Sequence, residues 1–156
     1  MQFLSDWATP DRSILLNFAE DVLVRFQAYI QTGNLPEAGG IILGTVHEQG
    51  ILITKVTKPT RADCRMKYFF QRNETGHQMI ARRNYDKSKG TVRYLGEWHT
   101  HPQDRPIPST LDILEWKKLA RKRADQRPLL TVIVGRSGLH VELVHRNGCR
   151  IELAAI

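Results

Sequence analysis

Residues 97–112 read Glu97-Trp98-His99-Thr100-His101-Pro102, then Gln103-Asp104-Arg105-Pro106-Ile107-Pro108-Ser109-Thr110-Leu111-Asp112. The run Thr91–Trp98 that leads into it has the β-branched and aromatic content of a strand. Side chains alternate across a strand, so His99 and His101 point to the same side and both imidazoles can reach one ion. Pro102 stops the strand, and two further prolines stiffen the loop Gln103–Pro108. Ser109 opens a helical pattern whose first turn brings Asp112 back as an oxygen ligand. Two nitrogens and one carboxylate leave a fourth tetrahedral position open, which is what a catalytic zinc needs. Each part has a plainer reading. Ser109-x-x-Asp112 also fits a helix-capping box, and a histidine pair on a strand arises by chance. The combination with the proline and the fixed spacing is the specific signal.

Working outward, the strand–loop–helix unit sits in an alternation of helical and extended segments. Pro10-Asp11 followed by Leu15, Phe18, Val22 and Phe26, with Tyr29 and Ile30, predicts an amphipathic helix ending near Gly33. Gly39–Val46 and Ile51–Thr57 predict a β-hairpin turning through Glu48-Gln49-Gly50, and Met66–Gln71, with Tyr68-Phe69-Phe70 at its centre, a third strand. Glu74–Asp86 reads as a helix. The pattern Leu111, Leu114, Leu119 makes a third helix ending before Pro128. Leu129–Val134 is a buried strand, and Leu139–Val144 with Arg150–Leu153 a closing hairpin across Arg146-Asn147-Gly148. The order α-β-β-β-α-β-α-β-β-β predicts one α/β domain over residues 1–156, a mixed sheet flanked by helices.

The chain has 156 residues, 41% hydrophobic and 25% charged, enough to bury a core without disulfides and with no disordered or repetitive signature. Its apolar runs, such as Gly39–Leu43, are too short to cross a bilayer, and the N-terminus lacks the basic and apolar regions of a secretory signal. With Cys64 and Cys149 as its only cysteines it has no disulfide framework, and a reduced cytoplasm is the expected compartment. Each cysteine reads as a small apolar side chain, with a single bridge left open. Lys and Arg number 23 against 16 Asp and Glu, a net charge of +7. Arg61–Gly90 and Lys117–Arg127 each carry a surplus of five positive charges, which reads either as solvated helix faces or as a docking surface for an acidic partner.

His99-Thr100-His101-Pro102 with Ser109 and Asp112 resembles the JAMM signature of the MPN-domain metalloproteases, His-x-His-Pro ending in Ser-x-x-Asp. Glu37-Ala38-Gly39-Gly40 stands where that family carries a Glu-x-Gly-Gly segment. The resemblance implies an α-β-α, cytidine-deaminase-like fold. It implies that His99, His101 and Asp112 ligate one Zn2+ and that Glu37 serves as general base and then general acid. It also implies that Ser109 donates a hydrogen bond to the developing oxyanion. The compact form with Gly-Glu-Trp-His-Thr-His-Pro resembles the prokaryotic branch, and within it the deconjugating isopeptidases of bacterial anti-phage CBASS systems. The implied substrate is a conjugated protein, the C-terminal tail of a cGAS-like nucleotidyltransferase joined to target amines, bound by strand addition with Tyr68 and Phe69 in reach, although core packing is expected of at least one of these two. No membrane or nucleic-acid partner is implied, and a homodimer is left open.

Other readings differ in their signals. Processing of a sulfur-carrier or another ubiquitin-like protein would use the same site. A noncatalytic MPN scaffold would have lost ligands that this chain keeps. A basic nucleic-acid-binding module is suggested by the charge alone and has no reader motif. Glu97, two residues before His99, faces the same way and is either a carboxylate holding an imidazole or a structural group. Trp98 points into the core. Gly39 and Gly40 permit close packing. His47, His77, His140 and His145 are expected as surface or satisfied histidines.

Overall fold

The computed structural model describes residues 3–156. Its order is β1 (Asp6–Ala8), β2 (Leu15–Phe18), α1 (Glu20–Ala28), β3 (Gly39–Val46), β4 (Gly50–Val56), β5 (Cys64–Met66), β6 (Phe69–Gln71), α2 (Glu74–Lys87), β7 (Arg93–Thr100), α3 (Thr110–Lys122), β8 (Leu129–Val134), β9 (Leu139–Val144), β10 (Arg150–Glu152) and β11 (Ala154–Ala155). Nine strands form one mixed sheet in the order β10-β9-β8-β7-β3-β4-β2-β1-β11, while β5 and β6 pair separately. The β7–β8 and β2–β4 pairs are parallel and the others antiparallel. The mixed α/β fold expected from the sequence is therefore present.

Strands β3 and β7 lie at the middle of this sheet, with Gly39 opposite His99 and Gly40 opposite Trp98. The register brings the start of β3 beside the end of β7. Close approach is what the glycines allow: a Cβ on Gly40 would run into the Thr57 carbonyl, and one on Gly96 into the backbone of Leu130. One sheet face is covered by α1, whose Val22, Leu23 and Phe26 pack with Ile42, Ile53, Trp98, Leu130 and Val132. Leu129 and Ile133, alternating with these along β8, face the other way onto Trp116 and Ala120 of α3. Burying Phe18, Phe26 and Trp98 stabilises the fold by about 1.5–3 kcal/mol each.

Several elements differ from the sequence expectation. The predicted helix starting at Pro10 is a turn followed by strand β2 up to Phe18, and only Glu20–Ala28 is helical. Asp11 explains the break: its Oδ1 accepts from the Ser13 N–H and hydroxyl and from the Thr9 hydroxyl, a local turn that outcompetes helix. Leu16 and Phe18 are then buried at a spacing of two. The predicted strand Met66–Gln71 is a separate tight hairpin, with Tyr68 at its tip 74% exposed and Phe69 and Phe70 half-buried, so neither Tyr68 nor Phe69 joins the core. On α3 the buried residues are Trp116 and Ala120, whereas Leu111 and Leu114 are exposed. Cys64 and Cys149 are both free and exposed, not packed as apolar side chains. No helix among the described residues is long and apolar enough to cross a membrane.

Candidate metal centre

Strand β7 ends at Thr100, and His99 and His101 project from the same side of it with their Nε2 atoms 3.0 Å apart. Asp112 enters from the first turn of α3, its Oδ1 3.3 Å from His99 Nε2 and its Oδ2 3.2 Å from His101 Nε2. Ser109 caps that helix by accepting from the Asp112 N–H at 3.1 Å, while its own N–H donates to Asp112 Oδ2 at 2.9 Å. The capping and ligand readings of Asp112 are thus one arrangement: the box that starts the helix aims the carboxylate at the imidazoles. Separations of 3.0–3.3 Å match the edge of a tetrahedron about an ion with bonds of about 2.0–2.1 Å, roughly 3.3 Å. The donor set therefore fits zinc. Glu37 stands farther out, its Oε1 4.0 Å from His101 Nε2, although its ligand atom lies within 4.8 Å of those of both histidines.

The surroundings set the charges. Burial pushes the Glu37 carboxyl up to about 7, with His101 pulling it down and Asp112 pushing it up. Burial also acts on Asp112, but its contacts with His101 and His99 outweigh that and hold it well below the usual carboxylate range. Burial disfavours a charged His101, and Asp112 reverses this and raises it. A sign follows for the metal-free protein. Between the ordinary 4.5 and about 7, folded Glu37 keeps a proton that the unfolded chain has released, so stability falls as pH rises through that window. Glu37→Gln removes this loss. By calorimetry after chelation, the variant melts level with wild type below about pH 4.5 and higher than wild type above about pH 7. Equal midpoints at the higher pH would refute the buried-carboxylate account.

The four residues open onto a groove of about 790 Å³. Tyr68, Phe69 and Phe70 of the small hairpin line it together with Ile107, Leu111 and Leu119. Among the described residues, Arg72 is the only basic side chain of the two basic stretches that lines it, and Arg72 is bound bidentately by Glu97, Nη2 donating to Oε1 and Nε to Oε2. Apart from Arg72, the basic side chains of these stretches therefore do not line the groove, although their apolar residues do. Glu97 serves neither imidazole: Arg72 at 2.7 Å and the Tyr94 hydroxyl at 3.0 Å are its partners, and burial raises its carboxyl against their pull. Tyr94 reaches it because Leu95 is an extra residue opposite Ile42 and Leu43, a bulge that puts Tyr94 and Glu97 on one face.

Two supporting residues were missed in the sequence. Gln103 Oε1 lies 3.2 Å from His101 Nδ1 and accepts from the Ile107 N–H, tying the loop to the imidazole. Trp116 packs with its ring centroid 6.2 Å from that of His99, and its ring lies nearly parallel to that of His140. An amide directly after His-x-His-Pro was a signal for Gln103, whereas Trp116 had none beyond its helical phase. Trp98 is buried and donates to the Thr57 carbonyl, as expected. His77 is buried between Thr57 and Asp63, His140 pairs with Glu142, and exposed His47 meets Thr45. His145 departs from expectation, because its shielded Nε2 has no hydrogen-bond partner.

The family of prokaryotic homologs of the JAB domain matches residues 19–147. A protein of Pseudomonas aeruginosa named CD-NTase/cGAS isopeptidase is 48% identical over 149 residues, covering 95% of this chain and 94% of that protein. A Vibrio cholerae protein of the same name is 35% identical over 116 residues, covering 74% and 72%. The solution structure of a Desulfitobacterium hafniense protein superposes with a TM-score of 0.61 at 18% identity, over 88% of each chain, a likeness of fold.

Proposed function

The chain belongs to the family of prokaryotic homologs of the JAB domain, and from that premise we propose that it is a zinc-dependent isopeptidase. Its substrate in this reading is the amide that joins the C-terminus of a CD-NTase, a cGAS-like nucleotidyltransferase, to a target amine, in a cytoplasmic CBASS anti-phage system. The substrate assignment draws on the names of the Pseudomonas and Vibrio relatives. The observation that carries the chemistry is the tight triangle of His99, His101 and Asp112 with a buried carboxylate, Glu37, one water's breadth away. The reading takes residues 1–156 as one peptidase domain.

His99, His101 and Asp112 would hold the zinc. Bound there, zinc supplies a Lewis acid and lowers the pKa of a water towards neutrality. Glu37 takes the proton from the attacking water as the new C–O bond forms at the amide carbon. It then returns that proton to the nitrogen as the C–N bond breaks, leaving a free C-terminal carboxylate and an amine. Burial raises the Glu37 carboxyl in the metal-free protein, which makes it a stronger proton acceptor than an exposed carboxylate. The Ser109 oxygen is occupied by the Asp112 N–H, so its hydroxyl hydrogen is available for the carbonyl oxygen as charge develops. Gln103 and Trp116 keep the imidazoles oriented. The apolar lining of the groove offers the tail a surface to lie against.

The test is cleavage of a conjugate carrying a CD-NTase C-terminus on a lysine amine, with and without chelator. Cutting at the junction that chelator stops and zinc restores is expected; no cutting by zinc-loaded protein would reject the substrate assignment. In the same assay Ser109→Ala lowers kcat about a hundredfold through the lost oxyanion donor, and loss of the cap costs about 1 kcal/mol of stability. A kcat within a few-fold of wild type would leave Ser109 as a cap alone.

A further inference from the structure

The small hairpin that walls the groove also grips the main chain of Glu37, and we infer that Arg65 is a positioning residue for that carboxylate. The inference rests on Glu37 being the base proposed above.

Glu37 is buried yet lies in the irregular segment ahead of β3, outside the sheet ladders. Buried backbone N–H and C=O groups need partners, and here both come from the hairpin. The Glu37 N–H donates to the Met66 carbonyl at 2.8 Å, and the Glu37 carbonyl accepts from Arg65 Nε at 2.8 Å. The next residue is held differently. The Ala38 N–H donates to the Thr100 hydroxyl at 2.9 Å, and its carbonyl accepts from the Thr100 N–H at 2.8 Å. The strand bearing the histidines therefore fixes Ala38, while the hairpin fixes Glu37, and the carboxylate is aimed from the joint between them. The hairpin is itself anchored, by Gln31 donating to the Lys67 carbonyl and by Arg72 on Glu97. Because the same hairpin presents Tyr68, Phe69 and Phe70 to the groove, a peptide lying against it bears on the element that aims the base.

Four proteins test this: wild type, Arg65→Ala, Arg65→Lys and Tyr68→Ser. Amide hydrogen exchange is read by NMR, steady-state kinetics on the conjugate, and zinc content by elemental analysis. In Arg65→Ala, exchange at the Glu37 amide rises about tenfold while the Ala38 and Thr100 amides keep their protection. Its kcat falls about tenfold with KM within about twofold of wild type and zinc content unchanged. Lysine can donate to the same carbonyl, so Arg65→Lys recovers most of both losses. Tyr68→Ser, at the hairpin tip, raises KM with exchange at Glu37 unaltered. Wild-type exchange at Glu37 in Arg65→Ala would overturn the inference, as would a loss confined to KM or to zinc content. If wild type cleaves no conjugate, the isopeptidase reading fails, and the exchange data still decide whether Arg65 holds Glu37.

Discussion

Glu37→Gln yields a folded, zinc-loaded protein whose kcat on the conjugate is at least about a thousandfold below wild type, the scale of a general acid–base group that acts twice in one turnover. Glutamine keeps the shape of the side chain and cannot take a proton. The backbone bonds of residue 37 to Met66 and Arg65 do not involve the side chain and persist. Zinc content stays at wild-type level because His99, His101 and Asp112 sit 3.0–3.3 Å from one another, the spacing of ligand atoms on one tetrahedral ion, whereas Glu37 stands wider, 4.0 Å from His101. Elemental analysis and kcat on the same preparation check this. A Glu37→Gln protein that has lost its zinc would make Glu37 a ligand, and one that cleaves at a wild-type rate would remove it from the chemistry.

Asp112→Asn separates two duties that one carboxylate performs. An asparagine oxygen still accepts the Ser109 N–H, so the capping box and the start of α3 survive, and melts compared after chelation fall below wild type only through the lost carboxylate–imidazole contacts. The charge that completes the donor set is gone, and zinc affinity falls by more than about a hundredfold, the loss associated with disturbing mere outer partners of a metal site. Cleavage is lost with the metal. Asp112→Ala loses zinc equally and adds about 1 kcal/mol of destabilisation from the broken box. Zinc titration with a competing chelator, beside thermal melts of both variants, distinguishes the two contributions. Full zinc affinity in Asp112→Asn would exclude Asp112 from the ligand set.

The candidate site was legible in the sequence because its parts are local. His99 and His101 are related by the period of a strand, and Ser109 and Asp112 by the first turn of a helix, so short-range geometry orients each pair. The central elements β3, β7, α3 and β8 were legible for the same reason, each carrying its own periodicity. Where a local pattern served two masters, the reading failed. Leu15 and Phe18 suit a helix phase as well as a strand, and only the turn built on Asp11 decides between them. Leu111, Leu114 and Leu119 marked α3 as a helix, but its buried residues are Trp116 and Ala120, with Leu119 packed beside them and Leu111 lining the groove. Glu97 illustrates the same limit: its phase was right, but its partner Arg72 lies 25 residues away.

By itself, the sequence determined which residue types could hold a metal, the strand and helix that carry them, and the alternating order that makes a mixed sheet. These follow from side-chain periodicity, proline and capping, which act over a few residues. The tertiary structure alone decided that Gly39 pairs with His99, so that Glu37 arrives beside imidazoles 62 and 64 positions along the chain. It also decided that a bulge at Leu95 brings Tyr94 and Arg72 to Glu97, and that Met66 and Arg65 hold the main chain of Glu37. Register between distant strands and the partners of buried polar groups depend on the packing of the whole sheet, which no local pattern encodes.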